Sequence, residues 1–231
     1  MKATVATSSE TMAAEITILE AIRDPNLFAA WFRDSSTWQA WFAFLAALFA
    51  LPMDADSLAL YQRHTGRTVP PTEPVGEAWV IAGRRAGKSL IAALVAVFLA
   101  VFRDHSVVLA PGERGTVMCL AADRRQARTV LRYIAGFFDS VPMLENLVES
   151  RTAEAIHLTN RVSIEVHTAS YRSVRGYTMV AVVADEVAFW RDESTANPDA
   201  EIIAAVRPGM STVPGALLLG ISSPYSRRGV L

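Results

Sequence analysis

One stretch constrains this chain more than any other: Ala78-Trp-Val-Ile-Ala-Gly-Arg-Arg-Ala-Gly-Lys-Ser-Leu-Ile-Ala92. Trp79 to Ala82 is a short apolar run that reads as a buried strand. It breaks into Gly83-Arg84-Arg85-Ala86-Gly87-Lys88-Ser89, and a strongly apolar helical segment follows. Strand, small-residue loop and helix in that order form the context of a phosphate-binding loop. Small residues let backbone N–H groups turn inward around a polyphosphate, and the helix start adds partial positive charge. Lys88 then reaches the β- and γ-phosphates, and the Ser89 hydroxyl holds Mg²⁺. The motif G-x-x-x-x-G-K-[ST] is met except at its first position, Ala82, with Gly83 supplying backbone freedom one residue later. Lys88 is the only lysine after Lys2. A chain that otherwise uses arginine keeps lysine where a compact, flexible ammonium is needed. The plainer reading is an ordinary strand–turn–helix with a chance Gly-Lys-Ser; it leaves the agreement of context and motif unexplained.

A second element is Met179-Val-Ala-Val-Val-Ala-Asp-Glu186, an apolar strand ending in two acids. In phosphate-loop enzymes a strand-end aspartate helps to hold Mg²⁺, the role expected of Asp185. A following glutamate activates water for attack on the γ-phosphate, the role expected of Glu186. Both acids fall at the carboxyl edge of a parallel sheet, where open α/β folds bind ligands. Ala216-Leu-Leu-Leu-Gly-Ile-Ser-Ser-Pro224 reads as a third buried strand, able to sit between the other two and to bring Ser222 or Ser223 near the γ-phosphate; taken alone, a capping or turn serine pair before Pro224 is the plainer reading. Arg175, before the Asp-Glu strand, is a candidate to stabilise transition-state charge in its own site or a neighbour's; Arg172 is a competitor, and an ordinary surface arginine is an equal alternative.

Composition bounds the rest. The chain has 231 residues, 52% hydrophobic and 19% charged, enough for a substantial core. A net charge of -1 argues against a uniformly basic nucleic-acid coat but permits a local basic patch. Cys119, the single cysteine, has no internal disulfide partner and reads as a core residue in a reducing setting. The apolar stretches 40–51 and 90–102 fall short of the roughly 18 to 20 residues that span a bilayer. His157 and His167 show no metal-ligand spacing.

The expected fold class is α/β: a P-loop NTPase of the ASCE type, with a mainly parallel sheet flanked by helices and an N-terminal helical segment. Expected strands are Trp79–Ala82, Thr116–Ala121, Met179–Ala184 and Ala216–Ile221, with helices at Lys88–Phe102, Arg124–Phe138 and Asp199–Val206. Alternation around Thr159-Asn160 predicts a hairpin over Ala155–Thr168. Residues 1–14 read as a disordered tail, 15–60 as the helical segment and 61–231 as the ATPase domain, with 61–76 an irregular connection. The aromatic residues Trp31, Phe32, Trp38, Trp41, Phe42 and Phe44 read as a helical cap on the main domain rather than a stacking platform for bases.

In combination these residues resemble a known family. Gly83-Arg-Arg-Ala-Gly-Lys-Ser89, Arg175-Gly176, Asp185-Glu-Val-Ala-Phe-Trp190 and Ile221-Ser-Ser-Pro-Tyr-Ser-Arg-Arg-Gly229 occur in the order seen in large terminase subunits of tailed bacteriophages. Tyr61-Gln-Arg-His-Thr-Gly-Arg67 and Pro70-Pro-Thr-Glu-Pro74 also resemble that family's lead-in to the loop. The resemblance implies an ATPase, with ATP and Mg²⁺, that pumps double-stranded DNA into an empty capsid. It implies phosphate contacts from Gly83, Arg84, Arg85, Ala86, Gly87, Lys88 and Ser89, and Mg²⁺ at Ser89 and Asp185. It implies Glu186 as the water-activating base, Arg175 as a finger between subunits, and Ser222 and Ser223 as the coupling motif. Gln62 is a candidate adenine contact by type. The implied partners are a portal protein, a small terminase subunit and further copies in a ring, with no membrane, in the cytoplasm of a bacterial host. That family carries a nuclease domain after the coupling motif; none is expected before Leu231, so the chain reads as an isolated motor domain, a fragment or the product of a split gene. Two alternatives stand beside this reading: a helicase-like nucleic-acid-dependent ATPase, or a truncated remnant that binds nucleotide without activity.

Overall fold

The computed structural model describes residues 16–170, 174–190, 198–225 and 230. In chain order the elements are α1 (Ile18–Arg23), 3₁₀ turns at Ala29–Trp31 and Ser35–Trp38, α2 (Gln39–Leu48), α3 (Ala55–Thr65), β1 (Glu77–Ile81), α4 (Lys88–Val101), β2 (Gly115–Ala121), α5 (Arg124–Ser140), α6 (Pro142–Glu145), β3 (Val148–Arg151), β4 (Ala155–Leu158), β5 (Val162–Thr168), β6 (Thr178–Asp185), a 3₁₀ turn at Val187–Phe189, α7 (Pro198–Met210) and β7 (Leu217–Ser222). The tail expected over 1–14 and the competitor Arg172 lie outside the described residues, as does 226–229 of the last motif.

The strands form one seven-stranded sheet in the order β1-β7-β6-β2-β5-β4-β3. β1, β7, β6, β2 and β5 run parallel, and β4 and β3 add antiparallel at one end. All four expected strands and the hairpin are present, each within two residues of its expected limits. β7 does lie between β1 and β6, pairing Val80 with Ile221 and Asp185 with Ile221. Apolar side chains leave both faces of the central strands, as a buried parallel sheet requires. On β2, Val117, Cys119 and Ala121 face the core shared with α4, α5 and the N-terminal helices, while Met118 and Leu120 face the core under α7. α4 is apolar almost all round because it is enclosed by the sheet, α5 and the N-terminal segment.

The aromatic-rich N-terminal block is a cap on the domain, as expected: Phe28, Phe32, Trp41 and Phe42 are buried in the large core. Phe28 packs edge-on against Phe137 of α5 at 5.0 Å. The connection expected to be irregular from Tyr61 instead begins inside α3, which runs to Thr65. Local capping explains the difference. Asp54 accepts from the Ser57 N–H at 2.8 Å to start this helix, and Gly66, at φ 69°, ends it in the left-handed conformation. β3 was not expected; four mostly exposed residues carry little periodicity, and only pairing with β4 makes them a strand. Helix α7 runs on through Pro208 to Met210, because a proline near the end of a helix disturbs only its last turn. No helix among the described residues is long and apolar enough to cross a membrane.

Candidate active site

The loop after β1 carries its own geometric signature. Arg85 has φ 62° and Gly87 has φ 83°, while Arg84, Ala86 and Lys88 between and beside them keep negative φ. Alternating handedness turns successive N–H groups to one side and makes an anion-binding nest. The left-handed state is costly for arginine, on the order of 1 kcal/mol, so this shape is specified by its surroundings. The nest leads directly into α4, whose N-cap is Gly87. A cavity of about 640 Å³ opens over it, lined by residues 84–90 together with Gln126, Tyr133, Glu186, Phe189 and Ser223. Gly83 stands just behind this rim and accepts a hydrogen bond from the Lys88 ammonium at 3.0 Å.

The strand-end acids meet the loop here, at the carboxyl edge of the sheet. Lys88 Nζ, only 6% exposed, lies 3.5 Å from Glu186 Oε1 and donates to Ser223 Oγ at 2.9 Å. Glu186 accepts from the Ser223 backbone N–H at 2.7 Å and from its hydroxyl at 2.9 Å. The Ser222 hydroxyl lies 3.4 Å from Glu186 Oε2 and accepts from the Ala188 N–H at 3.2 Å. Glu186 itself is left-handed, at φ 51°, with its N–H bound to the Ile221 carbonyl at 2.7 Å. Residues at the ends of β6 and β7 and at the start of α4 thus form one connected polar cluster.

Asp185 is different. It is 1% exposed, and neither carboxylate oxygen has a hydrogen-bond partner. Burial first, and then the charge of Glu186, push its pKa up to about 6; Lys88 opposes this. The Glu186 backbone and the Gln126 side chain also relieve it slightly, though neither reaches hydrogen-bond geometry. Asp185 does not itself line the cavity, but its two orphaned hard oxygens, adjacent in sequence to Glu186, and the hydroxyl of the lining residue Ser89 are donor types that suit Mg²⁺. Among the described residues no cluster of three or more His, Cys, Asp or Glu side chains could hold a metal alone. Mg²⁺ at phosphate sites needs no such cluster, because substrate oxygens and waters complete its shell.

This imbalance gives a measurable consequence. The folded-state pKa of Asp185 is raised, so the folded state holds the proton more tightly than the unfolded chain. Its ionisation therefore removes stability as pH rises from about 4 to about 6, on the order of 3 kcal/mol once complete. Asp185→Asn keeps the shape and cannot ionise. Without metal or nucleotide it is expected to be about 1 to 3 kcal/mol more stable than the parent at pH 7.5, the excess shrinking toward pH 4.5. Urea unfolding at the two pH values measures this. A variant less stable than its parent at pH 7.5 would show that the carboxylate is satisfied.

Arg175 is not brought to this cluster within one chain. It precedes β6, whereas Asp185 ends it, and an eight-residue strand spans roughly 25 Å. Arg175 lines a different cavity, of about 630 Å³, with Val174, Glu201, Pro208 and others of α7. Strand direction alone carries this information, since Arg175 and Asp185 flank the two ends of one run. Gln62 lies away from the active-site cavity and donates to the Thr68 carbonyl. Cys119 is buried, and burial pushes its thiol up to about 12. His157 and His167 pair with Ser163 and Glu165. The cavity residues Gln126 and Tyr133 belong to no motif of the sequence. Gln126 follows the carboxyl end of β2, the same edge as the acids, and Tyr133 lies two helical turns further along the same face of α5.

The mainly parallel sheet flanked by helices is an α/β fold that matches phage large-terminase ATPase domains. The chain is similar in fold to the large terminase of bacteriophage HK97, with a TM-score of 0.50 and 16% identity over 74% of this chain and 33% of that one. It is similar to the same degree, a TM-score of 0.50 at 18% identity, to a mutant ATPase domain of the Thermus phage P74-26 large terminase, over 80% of this chain and 70% of that one. The matched region is thus about a third of the HK97 protein. No family model and no curated protein sequence matches the chain.

Proposed function

We propose that the chain is the ATPase motor domain of a phage-type large terminase, coupling Mg²⁺-dependent ATP hydrolysis to movement of double-stranded DNA into a procapsid. The observation that carries this reading is the convergence of Lys88, Glu186 and Ser223 beneath an anion-binding nest. The N–H groups of residues 83–89 and the Lys88 ammonium bind the polyphosphate, with the Arg84 and Arg85 side chains at its rim. Ser89 and Asp185 would hold Mg²⁺, which would supply charge neutralisation at the phosphate oxygens. Glu186 orients a water and takes its proton during attack on the γ-phosphate.

The network also suggests how hydrolysis is sensed. The ammonium is shared among Gly83, Ser223 and Glu186. A phosphate competes for the same ammonium. Its withdrawal frees Glu186 Oε1 and the Ser223 hydroxyl together, so occupancy of the nest is read at the end of β7. That is the coupling role proposed for Ser222 and Ser223. Arg175, at the opposite edge, serves a neighbouring copy in a ring on the portal, with the small terminase subunit as a further partner, in the host cytoplasm. The DNA assignment is supported by α5: Arg124, Arg125, Arg128 and Arg132 are exposed on one face, and among the described residues none has an acidic partner.

The test is nucleotide binding and steady-state hydrolysis, with and without double-stranded DNA. Mg²⁺-ATP should bind, and Lys88→Ala should weaken binding roughly 10- to 100-fold, as expected for loss of a charged hydrogen bond. Stimulation by double-stranded DNA, in preference to single strands, favours packaging over a helicase-like role. Absence of binding at millimolar Mg²⁺-ATP, or an unchanged Lys88→Ala variant, would overturn the assignment.

A further inference from the structure

The N-terminal segment touches the nest through two tryptophans. Trp41, on the first turn of α2 and 9% exposed, donates its indole N–H to the Ala86 carbonyl at 2.7 Å. Trp38, immediately before α2, lies so close to Gly87 that a Cβ there would stand 2.6 Å from its ring. Phe32 packs edge-on against Trp38 at 5.0 Å and Phe44 against Trp41 at 5.8 Å, so both indoles are held from behind.

The peptide joining Ala86 to Gly87 is planar and trans, so its carbonyl and its N–H point in opposite directions. Fixing the carbonyl on Trp41 turns the Gly87 N–H away from Trp41, which does not line the cavity. A nest has particular need of such a fixture. Its N–H dipoles repel one another until an anion arrives, and Arg85 sits in a costly left-handed state. Trp38 adds a shape constraint, since only glycine fits beneath it at residue 87.

We infer that Trp41 is a positioning residue for the phosphate loop, with Trp38 as its steric stop, so that the N-terminal segment sets the nest before nucleotide arrives. This rests on the reading of the nest as the phosphate site. Pre-setting the loop removes an ordering cost from binding.

The test uses the full chain with Trp41→Phe, which keeps an aromatic ring and removes the donor. Amide hydrogen exchange without nucleotide should accelerate roughly 3- to 10-fold in residues 83–90, as expected for one lost hydrogen bond, and stay unchanged in β2 and β6. Binding of the non-hydrolysable analogue ATPγS with Mg²⁺ should weaken by a similar factor, and the KM for ATP should rise by more than kcat falls. Should Trp41→Phe fail to fold, benzothienylalanine at position 41 replaces only the N–H by sulfur and is measured in the same way. Unchanged exchange in 83–90, or acceleration spread evenly through the sheet, overturns the inference. If the parent binds no nucleotide, the functional reading fails, and the exchange result still decides whether Trp41 holds the loop.

Discussion

Glu186→Gln is expected to slow ATP hydrolysis at least 100-fold while leaving Mg²⁺-nucleotide affinity within about threefold of the parent. The expectation follows from what each oxygen of Glu186 does. One accepts the Ser223 N–H at 2.7 Å, and a glutamine carbonyl oxygen replaces it there. The other accepts from the Ser223 hydroxyl at 2.9 Å and faces the Lys88 ammonium at 3.5 Å. A glutamine NH₂ in that place can donate to the serine oxygen, with the direction of that hydrogen bond reversed and the serine O–H left to find another acceptor. What the amide cannot do is take a proton from water. Lys88 also loses its counter-charge, which frees it for phosphate and opposes any loss of binding. Single-turnover hydrolysis beside calorimetric binding separates the two effects. Hydrolysis at the parental rate would move the base elsewhere, and a collapse of binding would make Glu186 structural.

Arg175→Ala is expected to lower hydrolysis in the assembled ring by about 10³- to 10⁵-fold with nucleotide still bound. Arginine suits the role because it stays charged and offers a planar fork to phosphate oxygens. Arg175 stands at the far edge of the sheet from Glu186, so under the proposed role the lost group would belong to a neighbour's site. Gly176, at φ 84°, supplies the sharp turn that presents it. The distinctive result is complementation. Rings of Arg175→Ala subunits and rings of Glu186→Gln subunits are each inactive. Mixed rings regain turnover at junctions where an intact Glu186 meets an intact Arg175. Mixed rings of verified composition that regain nothing at any ratio would assign Arg175 to the packing around α7 instead.

The pairing of the two motifs is legible in the sequence because each is local. The loop is a run of seven residues between an apolar strand and an apolar helix, and Asp185-Glu186 closes an apolar strand. Direction of the chain places both at the carboxyl edge of a parallel sheet, and the structure has them 3.5 Å apart through Lys88 and Glu186. An apolar strand ending in Ser222-Ser223 was compatible with a place between the other two, and the sheet order β1-β7-β6 puts it there. The hairpin over β4 and β5 followed from its period-two alternation.

By itself, then, the amino-acid sequence determined which segments are buried strands and helices, and which residues stand at the ends of the strands. Backbone propensity, apolar periodicity and loop chemistry act over a few residues and are written in order along the chain. Tertiary structure alone decided which distant groups became partners. Ser223 reached Glu186 across 37 positions, and Trp41 reached Ala86 across 45. It also decided that Asp185 would be buried without a partner, and that β3 would exist at all. These outcomes depend on how helices pack against the faces of the sheet. The distances and desolvation that set them belong to the packed arrangement, and no short stretch of sequence contains them.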